Sequence, residues 1–550
     1  MAKVVFVADF FYEQGVSGGA EVCNDHLINY LSKEDINVQK INSLDLTPER
    51  IKEYHDSFFI IANFMQLSEI SKKHLEDTEY IIYEHDHKYV DTNNPARFVN
   101  MLAPQKHIIN YDFYKNAKAV LCQSTFHSEI VQKNLLLDNI INLSGNIWSQ
   151  KQFNMLKERV GRKKTKENIV LMSSNKNKGT PFALKYCEQQ NIDFEKIGSC
   201  DYPQFLDVLS VSKNLIFFPQ WVETFNRVSV EARILGCNLT TNSLVGVTHE
   251  KWFKANKDEN LLEVIKERTT SVVNTFVELI KNKNYSEYFI PSLISQVPKI
   301  SIITSLYKGE KYIKWFLEEI TKQTIFDKCE LLILDANSPE KEYEIIKPYI
   351  EKHNNIIYKR LEKRYTVQET MNIGIKMSSG KYLTLANIDD TRHYDAYEIL
   401  AKNLLIDPAI HLVYADCLQT NQEKETFYDN SSNGLLYEHS KNSFSSENMI
   451  KCLPGPMPMW EKSIHENAGY FDETLKYAGD WEMWLRCVDK GLKFKKISNI
   501  MGLYLFNEEG LSTSTKNRDE RFLEEQLIFN KYKHVFGKKI YNRFKGYFNE

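Results

Sequence analysis

"KYLTLANIDDTRHYDA", residues 381–396, runs from a stretch of strand formers, Tyr382 to Ala386, straight into two adjacent carboxylates, Asp389 and Asp390. Two like charges side by side repel, so a strand ending on this doublet implies something beyond it that takes both. In open α/β sheets, ligands sit in the crevice past the carboxyl ends of the strands. Asp335, at the end of "ELLILDA" (330–336), arrives at the same rim. A hard divalent ion with oxygen ligands, Mg²⁺ or Mn²⁺, bridging a diphosphate would satisfy such a cluster. The plainer reading is a solvated turn or a helix cap.

Working outward, the doublet belongs to a chain in which short apolar strands alternate with longer amphipathic stretches, the mark of α/β domains with parallel sheets. In the first half, strands are expected at 3–10, 57–63, 80–86, 119–124, 168–174 and 214–220. The basic, polar segment 156–168 reads as a linker between two lobes. Pro298 then punctuates a restart, with strands at Ile300 onward, 330–336, 355–361, 381–387 and 411–417. The expected division is 1–160 and 161–290 as two Rossmann-type lobes, 298–515 as a third domain, and 516–550 as a helical tail.

The 550 residues are too many for one core. A net charge of −3 argues against a nucleic-acid partner. The nine cysteines (23, 122, 187, 200, 237, 329, 417, 452 and 487) contain no C-x-x-C, which suits a reducing compartment and neither a disulfide framework nor a zinc site. "MAKVVFVADFF" reads as a first strand, not a signal peptide, and no window reaches the ~18 apolar residues of a membrane span. The expected location is cytoplasmic. No G-x-G-x-x-G follows an expected strand, and "GVSGGAE" has the wrong spacing, which disfavours a dinucleotide-dependent oxidoreductase.

In the second half, "PKISIITSLYKGEKYIKWFLEEITKQT", "CELLILDANSPEKE", "NIGIKMSSGKYLTLANIDD" and "AGYFDETLKYAGDWEMWLRCVDKGLKF" follow one another in an order that resembles the family 2 glycosyltransferases, over about 298–515. The resemblance implies a GT-A fold, a nucleotide-sugar donor, a divalent metal and inversion at the sugar carbon. It implies Thr304, Tyr307 and Asp335 as donor contacts, Asp389 and Asp390 as the metal and diphosphate pair, and Asp480 as catalytic base. A carboxylate in reach of an acceptor hydroxyl can take its proton as attack proceeds. Asp480 also opens an expected helix, 480–490, closed by Gly491, where it would serve as N-cap. Trp481 and Trp484 on that helix could line a sugar site or pack in the core. The chain departs from the family at Asn387 and Ala336, where acids are usual, and at Asn507, near which the family often has a metal-binding His; Glu508 is the expected substitute.

In the first half, "FFPQWVETFNRVSVEARILGCNLTTNSLVGV" sets Glu223 and Glu231 eight apart, with a helix expected from near Asn226 whose N–H groups suit a diphosphate. With "GVSGGAEVCNDHLINYL", "YEHDHKYV" and "NKNKGTPFALKY", the order over about 1–285 resembles family 4 glycosyltransferases of the GT-B fold. That resemblance implies Gly18 and Gly19 beside the donor phosphate, His85 or Asp86 at the sugar, Lys178 on the diphosphate, and Glu223 and Glu231 on the donor's sugar and ribose. It implies a retaining, metal-independent transfer. The usual Arg ahead of the Lys is absent, with Lys176 in its neighbourhood. Alternation along the strand would point the residues of "EHDH" to opposite faces, against a shared ion.

The two resemblances together imply a bifunctional enzyme adding sugars to an oligosaccharide or lipid-linked glycan. The alternative is one active GT-A head with a degenerate GT-B-like half that binds acceptor or acts as scaffold. A protein with no turnover is the rival from another class. The tail "FNKYKHVFGKKIYNRFKGYF" (529–548) has two readings: an interfacial helix at a membrane, or a helix packed back on its domain.

Overall fold

The computed structural model describes residues 2–15, 18–198, 200–436, 444–507, 510–511 and 513–549. The chain divides into two compact units, Met1–Ser292 and Leu293–Glu550.

The first unit holds two parallel sheets. One comprises β1 (Ala2–Ala8), β2 (Ile36–Asn42), β3 (Phe58–Ile61), β4 (Tyr80–Tyr83), β5 (Val120–Cys122) and β6 (Ile140–Asn142), in the order β2-β1-β3-β4-β5-β6. The other comprises β7 (Lys166–Leu171), β8 (Glu195–Ile197), β9 (Ser212–Ile216) and β10 (Asn238–Thr240), in the order β10-β9-β7-β8. β1, β3 and β4 are almost wholly apolar because helices cover both of their faces. The 25-residue helix Asp258–Asn282 spans both cores: Leu261, Leu262 and Ile265 pack under the second sheet, and Val272, Phe276 and Leu279 under the first. Polar contacts also join the sheets, since Thr224 Oγ1 donates to the His85 carbonyl at 2.8 Å and Ser124 Oγ to the Thr224 carbonyl at 2.6 Å.

The second unit is built on one eight-stranded sheet. Its strands are β11 (Ile300–Leu306), β12 (Cys329–Asp335), β13 (Ile356–Arg360), β14 (Tyr382–Leu385), β15 (Thr391–Arg392), β16 (Leu412–Thr420), β17 (Met459–Glu461) and β18 (Phe494–Leu505). The order is β13-β12-β11-β14-β17-β16-β18-β15; β11 to β14 run parallel, and β17 is antiparallel to both its neighbours. Ile300, Ile302 and Leu306 of β11 enter one core layer and Ile303 the other, so this sheet is buried on both faces. The helix Val367–Met377 starts with a Thr366/Glu369 capping box. It lies so close to β11 that a Cβ on Gly374 would sit 2.4 Å from Ile303.

Three local expectations change. The expected strand 80–86 stops at Tyr83, so alternation along a strand does not govern His85 to His87, and His87 takes a left-handed φ of 56°. The helix expected from Asp480 runs Gly479–Asp489 with Ala478 as N-cap, so Asp480 lies inside it rather than capping it. In the tail, the helices Arg518–Lys531 and Lys538–Asn549 form, and Phe529, Tyr532 and Phe536 are buried in the unit's core, which is the packed-back reading. Among the described residues no helix is long and apolar enough to cross a membrane.

Candidate active site

In the second unit, β11, β12 and β14 all point their carboxyl ends at one rim. Beyond β11, Tyr307 is half-buried, with the Arg364 guanidinium 4.4 Å above its ring. Thr304 lies three residues earlier, inside the sheet and fully buried. Asp335 is 1% exposed: its Oδ1 accepts from the Ser338 N–H at 2.6 Å, and its Oδ2 from the Tyr358 hydroxyl at 2.5 Å and Arg360 Nη1 at 2.7 Å. Those bonds fold the loop after β12 and aim Arg360, whose Nη2 continues to Asn337 Oδ1 and the Ser338 carbonyl. Of the three expected donor contacts, Tyr307 is thus the one left partly exposed, while Thr304 and Asp335 are buried.

The acidic doublet follows β14 at the same rim. Asp390 is buried, with Oδ1 accepting the Leu505 N–H of β18 at 3.0 Å and Oδ2 the Asn387 side-chain amide at 2.9 Å. Burial, and then the charge of Asp389, push the Asp390 carboxyl up to about 7. Burial likewise raises Asp389, against a lowering contact from its own backbone N–H. Arg392, in the same stretch, is buried behind them; it donates to the Leu385 carbonyl, stacks 5.3 Å from the Tyr397 ring, and partly offsets Asp390. The repulsion evident in the sequence is thus only partly neutralised by the protein. Two oxygen donors carrying surplus negative charge fit a hard divalent cation. Among the described residues no cluster of three His, Cys, Asp or Glu side chains could hold a metal unaided, so the remaining ligands would be substrate oxygens or water. Glu508 lies outside the described residues; Asn507 is half-buried, its carbonyl accepting the Gly510 N–H at 2.9 Å.

Asp480 is the second residue of its helix. Its Oδ1 accepts the Trp481 N–H at 2.8 Å and its Oδ2 faces Cys452 Sγ at 3.4 Å, while burial raises its pKa above the usual carboxylate value. A Cβ on Gly479 would meet the Gln368 side chain at 2.8 Å. Gln368 is the second residue of the helix that follows β13, and the start of a crossover helix lies at the carboxyl end of the preceding strand. Asp480 thus follows the glycine that packs on Gln368, and Gln368 stands four residues after Arg364, the cation over the Tyr307 ring. The two tryptophans are structural: Trp481 donates to the Met449 carbonyl at 2.6 Å, and fully buried Trp484 lies edge-on to Trp460 at 5.1 Å.

In the first unit, Lys178 Nζ lies 2.7 Å from Glu223 Oε1, and the Asn226 side-chain amide donates to Glu223 Oε2 at 3.1 Å. Asn226 also caps the helix Arg227–Ile234 through Ser229 N–H. These three groups are brought together. Glu231 is not among them: it is 2% exposed, and its Oε1 accepts from Trp148 Nε1 and the Tyr202 hydroxyl, both at 3.0 Å, with Arg227 at 3.8 Å. His85 is buried as well, its Nε2 3.0 Å from Asn24 Oδ1 and its Nδ1 2.6 Å from the Gln123 amide. Both expected ligand contacts are thus buried and hydrogen-bonded inside the protein, Glu231 through Oε1 and His85 through both ring nitrogens. Gly18 and Gly19 begin the helix Gly19–Leu31, which carries Asn24; a Cβ has open space at Gly19, whereas at Gly18 it would strike Glu21. Lys176 is exposed beside Lys178.

Arg364, Gln368 and Arg392 had no assigned role in the motif reading. Arg392 lies within the stretch that opened it, where a lone cation beside two acids was a usable signal.

Residues 301–466 match the family model described as "Glycosyl transferase family 2". The chain is a glycosyltransferase. Its second unit has the α/β sheet of a GT-A-like glycosyltransferase. Relatives include the uncharacterized glycosyltransferase MJ1057 of Methanocaldococcus jannaschii, 25% identical over 38% of this chain and 70% of that protein. The minor teichoic acid biosynthesis protein GgaB of Bacillus subtilis is 34% identical over 42% of this chain, which spans only 25% of GgaB. Chondroitin synthase of Pasteurella multocida is 24% identical over 44% of this chain and 24% of its own length. Among solved structures, S. aureus TarS 1-349 in complex with UDP-GlcNAc is 17% identical, with a TM-score of 0.37 over 43% of this chain and 69% of that one.

Proposed function

We propose that the second unit transfers a sugar from a nucleoside-diphosphate sugar to a hydroxyl of a growing glycan, with inversion at the sugar carbon. The observation that carries the reading is the doublet: two carboxylates past the end of β14, Asp390 held by β18 and Asn387, with more charge than the protein neutralises. Asp389 and Asp390 would hold a Mn²⁺ or Mg²⁺ ion, which when bound supplies charge neutralisation on the departing diphosphate. Asp480 accepts the proton of the acceptor hydroxyl at a carboxylate oxygen as the new bond to the sugar carbon forms. The bond from that carbon to the diphosphate oxygen breaks on the opposite side, and the raised pKa of Asp480 suits a group that must take up a proton. Tyr307, with Arg364 across its ring, offers an aromatic and cationic wall for the nucleotide. The acceptor in this reading is an oligosaccharide or lipid-linked glycan; the relatives named for teichoic acid biosynthesis and as a chondroitin synthase support its glycan character. Nine cysteines, none in a disulfide, support a cytoplasmic location.

For the first unit, the Lys178–Glu223–Asn226 group at a helix N-terminus supports a GT-B-like, metal-independent, retaining donor site. A second reading has its own support: Glu231 and His85 are committed to internal hydrogen bonds, which favours an acceptor-binding or scaffolding half. A panel of UDP- and GDP-sugars, assayed for released nucleoside diphosphate with and without Mn²⁺, decides between them. Metal-dependent turnover lost in Asp389→Ala and Asp480→Asn is expected of the second unit; full turnover in either variant would end the proposal. Metal-independent turnover lost in Glu223→Ala would make the first unit a second catalyst, and its absence leaves the scaffold reading.

A further inference from the structure

The first turn of any helix leaves N–H groups without intrahelical partners. The helix that carries Asp480 begins after Ala478, which has no side chain able to cap it. The N-cap amide and the two amides that lead into it find their acceptor far along the chain. Glu524, on the helix Arg518–Lys531, turns one carboxylate onto three consecutive backbone N–H groups: Lys476 at 2.6 Å, Tyr477 at 2.8 Å and Ala478 at 3.1 Å. One turn earlier on the same helix, Glu520 accepts from the Tyr477 hydroxyl at 2.7 Å and Lys476 Nζ at 3.1 Å. At the far end of the helix, about two turns on, Lys531 Nζ and the hydroxyl of the C-cap residue Tyr532 reach Glu482, two residues beyond Asp480, at 2.9 and 2.6 Å. Burial and then the nearby charge of Asp480 raise Glu525, after allowance for the lowering effect of Arg521, so this helix also lies within electrostatic reach of that aspartate. All of these residues lie beyond the 301–466 family match.

We propose that Glu524 is a positioning residue for transfer, its carboxylate clamping the 476–478 backbone so that the Asp480 side chain is presented to the acceptor hydroxyl. The C-terminal helix is then part of the catalytic architecture rather than an appendage. An anion at a helix N-terminus is electrostatically favoured, and three amides converging on one carboxylate leave the segment little freedom to rotate. Fixing the backbone immediately before Asp480 fixes the direction of its Cα–Cβ bond. A misplacement of about 1 Å in a catalytic group costs on the order of 100-fold in rate. The proposal rests on the reading of Asp480 as the base.

The test uses the full chain with the Mn²⁺-dependent nucleotide-sugar hydrolysis described above, together with amide hydrogen exchange. Glu524→Ala is expected to lower kcat by 10- to 100-fold with the donor KM within about twofold, and to speed exchange of the 476–478 amides while β14 is unaffected. Glu524→Gln, which keeps one acceptor oxygen, should fall between Glu524→Ala and wild type. Phe529→Leu, a core change on the same helix that leaves the Glu524 carboxylate and its three amide partners in place, controls for general loosening and should lower Tm with kcat preserved. Wild-type kcat in Glu524→Ala, unchanged amide exchange, or an equal kcat loss in Phe529→Leu each overturns the inference while the base assignment stands. Full activity in Asp480→Asn overturns the base assignment, and the inference with it.

Discussion

Acidification should unfold the first unit before the second. His85, His87 and His127 are all buried there, the rings of His87 and His127 meeting edge-on at 4.8 Å. Burial is the leading cause that lowers each of them, His85 and His87 to about 4 and His127 well below its ordinary value. Around them, Lys88 adds to the lowering of His85, while Glu84 and Asp86 oppose it. In the unfolded chain an imidazole takes its proton near pH 6.5. Between 6.5 and 4 the unfolded chain therefore binds more protons at these histidines than the folded one, and their contribution to stability falls as pH falls through that window, opposed by the raised carboxyls of Glu231 and Glu21. Each pH unit of proton binding forgone is worth about 1.4 kcal/mol, so at pH 5 each of the two histidines costs about 2 kcal/mol. The pair removes about 4 kcal/mol from a total typically of 5–15 kcal/mol. The pairing of Glu84 with Lys88 holds the Glu84 carboxyl below its ordinary range in spite of burial, so its own titration lies under this window.

The second unit contains an opposing pair. His465 is lowered to about 4 by burial, but Asp390 is raised to about 7 and is stabilised by protonation as pH falls. Burial raises Asp389, Asp480 and Glu525 in the same sense, so in metal-free buffer the response of this unit over the same range should be flat or stabilising. Urea titrations at pH 7.5 and pH 5, with hydrogen exchange resolving peptides of β4 and β5 from peptides of β11 and β12, measure the two units separately. A first-unit stability at pH 5 within about 1 kcal/mol of its pH 7.5 value, or ring resonances of His85 and His87 titrating near 6.5, would refute the reasoning.

Two further changes probe the sites directly. Asp390→Asn removes one member of the repelling doublet while keeping an acceptor for the Leu505 N–H, so it should raise stability at pH 8 without metal by roughly 1–2 kcal/mol and abolish metal-dependent turnover. A lower Tm in that variant would show that the doublet is not electrostatically strained. Gly179 has φ 68° and sits where a Cβ would fall 1.7 Å from the Phe218 carbonyl oxygen. Gly179→Ala should therefore cost the first unit about 2 kcal/mol or more and displace the Lys178 loop, and an unchanged urea midpoint would contradict that close approach.

The strands that carry the two sites were legible because central parallel strands are apolar on both faces: β1, β3, β4, β11, β12 and β14 all announce themselves by composition. β2, with its alternation of buried and exposed residues, and the three-residue β6, β8, β10 and β17 do not, since half-covered or very short strands need few apolar residues. β18 contains "KKISN" and Gly502, and is recognisable as a strand only beside β16. In the same way the doublet was visible at its strand end, and the tryptophans of the Asp480 helix were left open until Met449 and Trp460 closed around them.

Sequence alone determined which elements carry the candidate residues, because a motif's order and spacing locate residues along a strand, a turn or a helix. Only the tertiary structure decided which polar atoms remain free to act. Asp335 is taken by Tyr358 and Arg360, Glu231 by Trp148 and Tyr202, and His85 by Asn24 and Gln123. The physical reason is that a buried polar group must find partners, and those partners arrive from other elements, tens of residues away, whose approach no local pattern encodes.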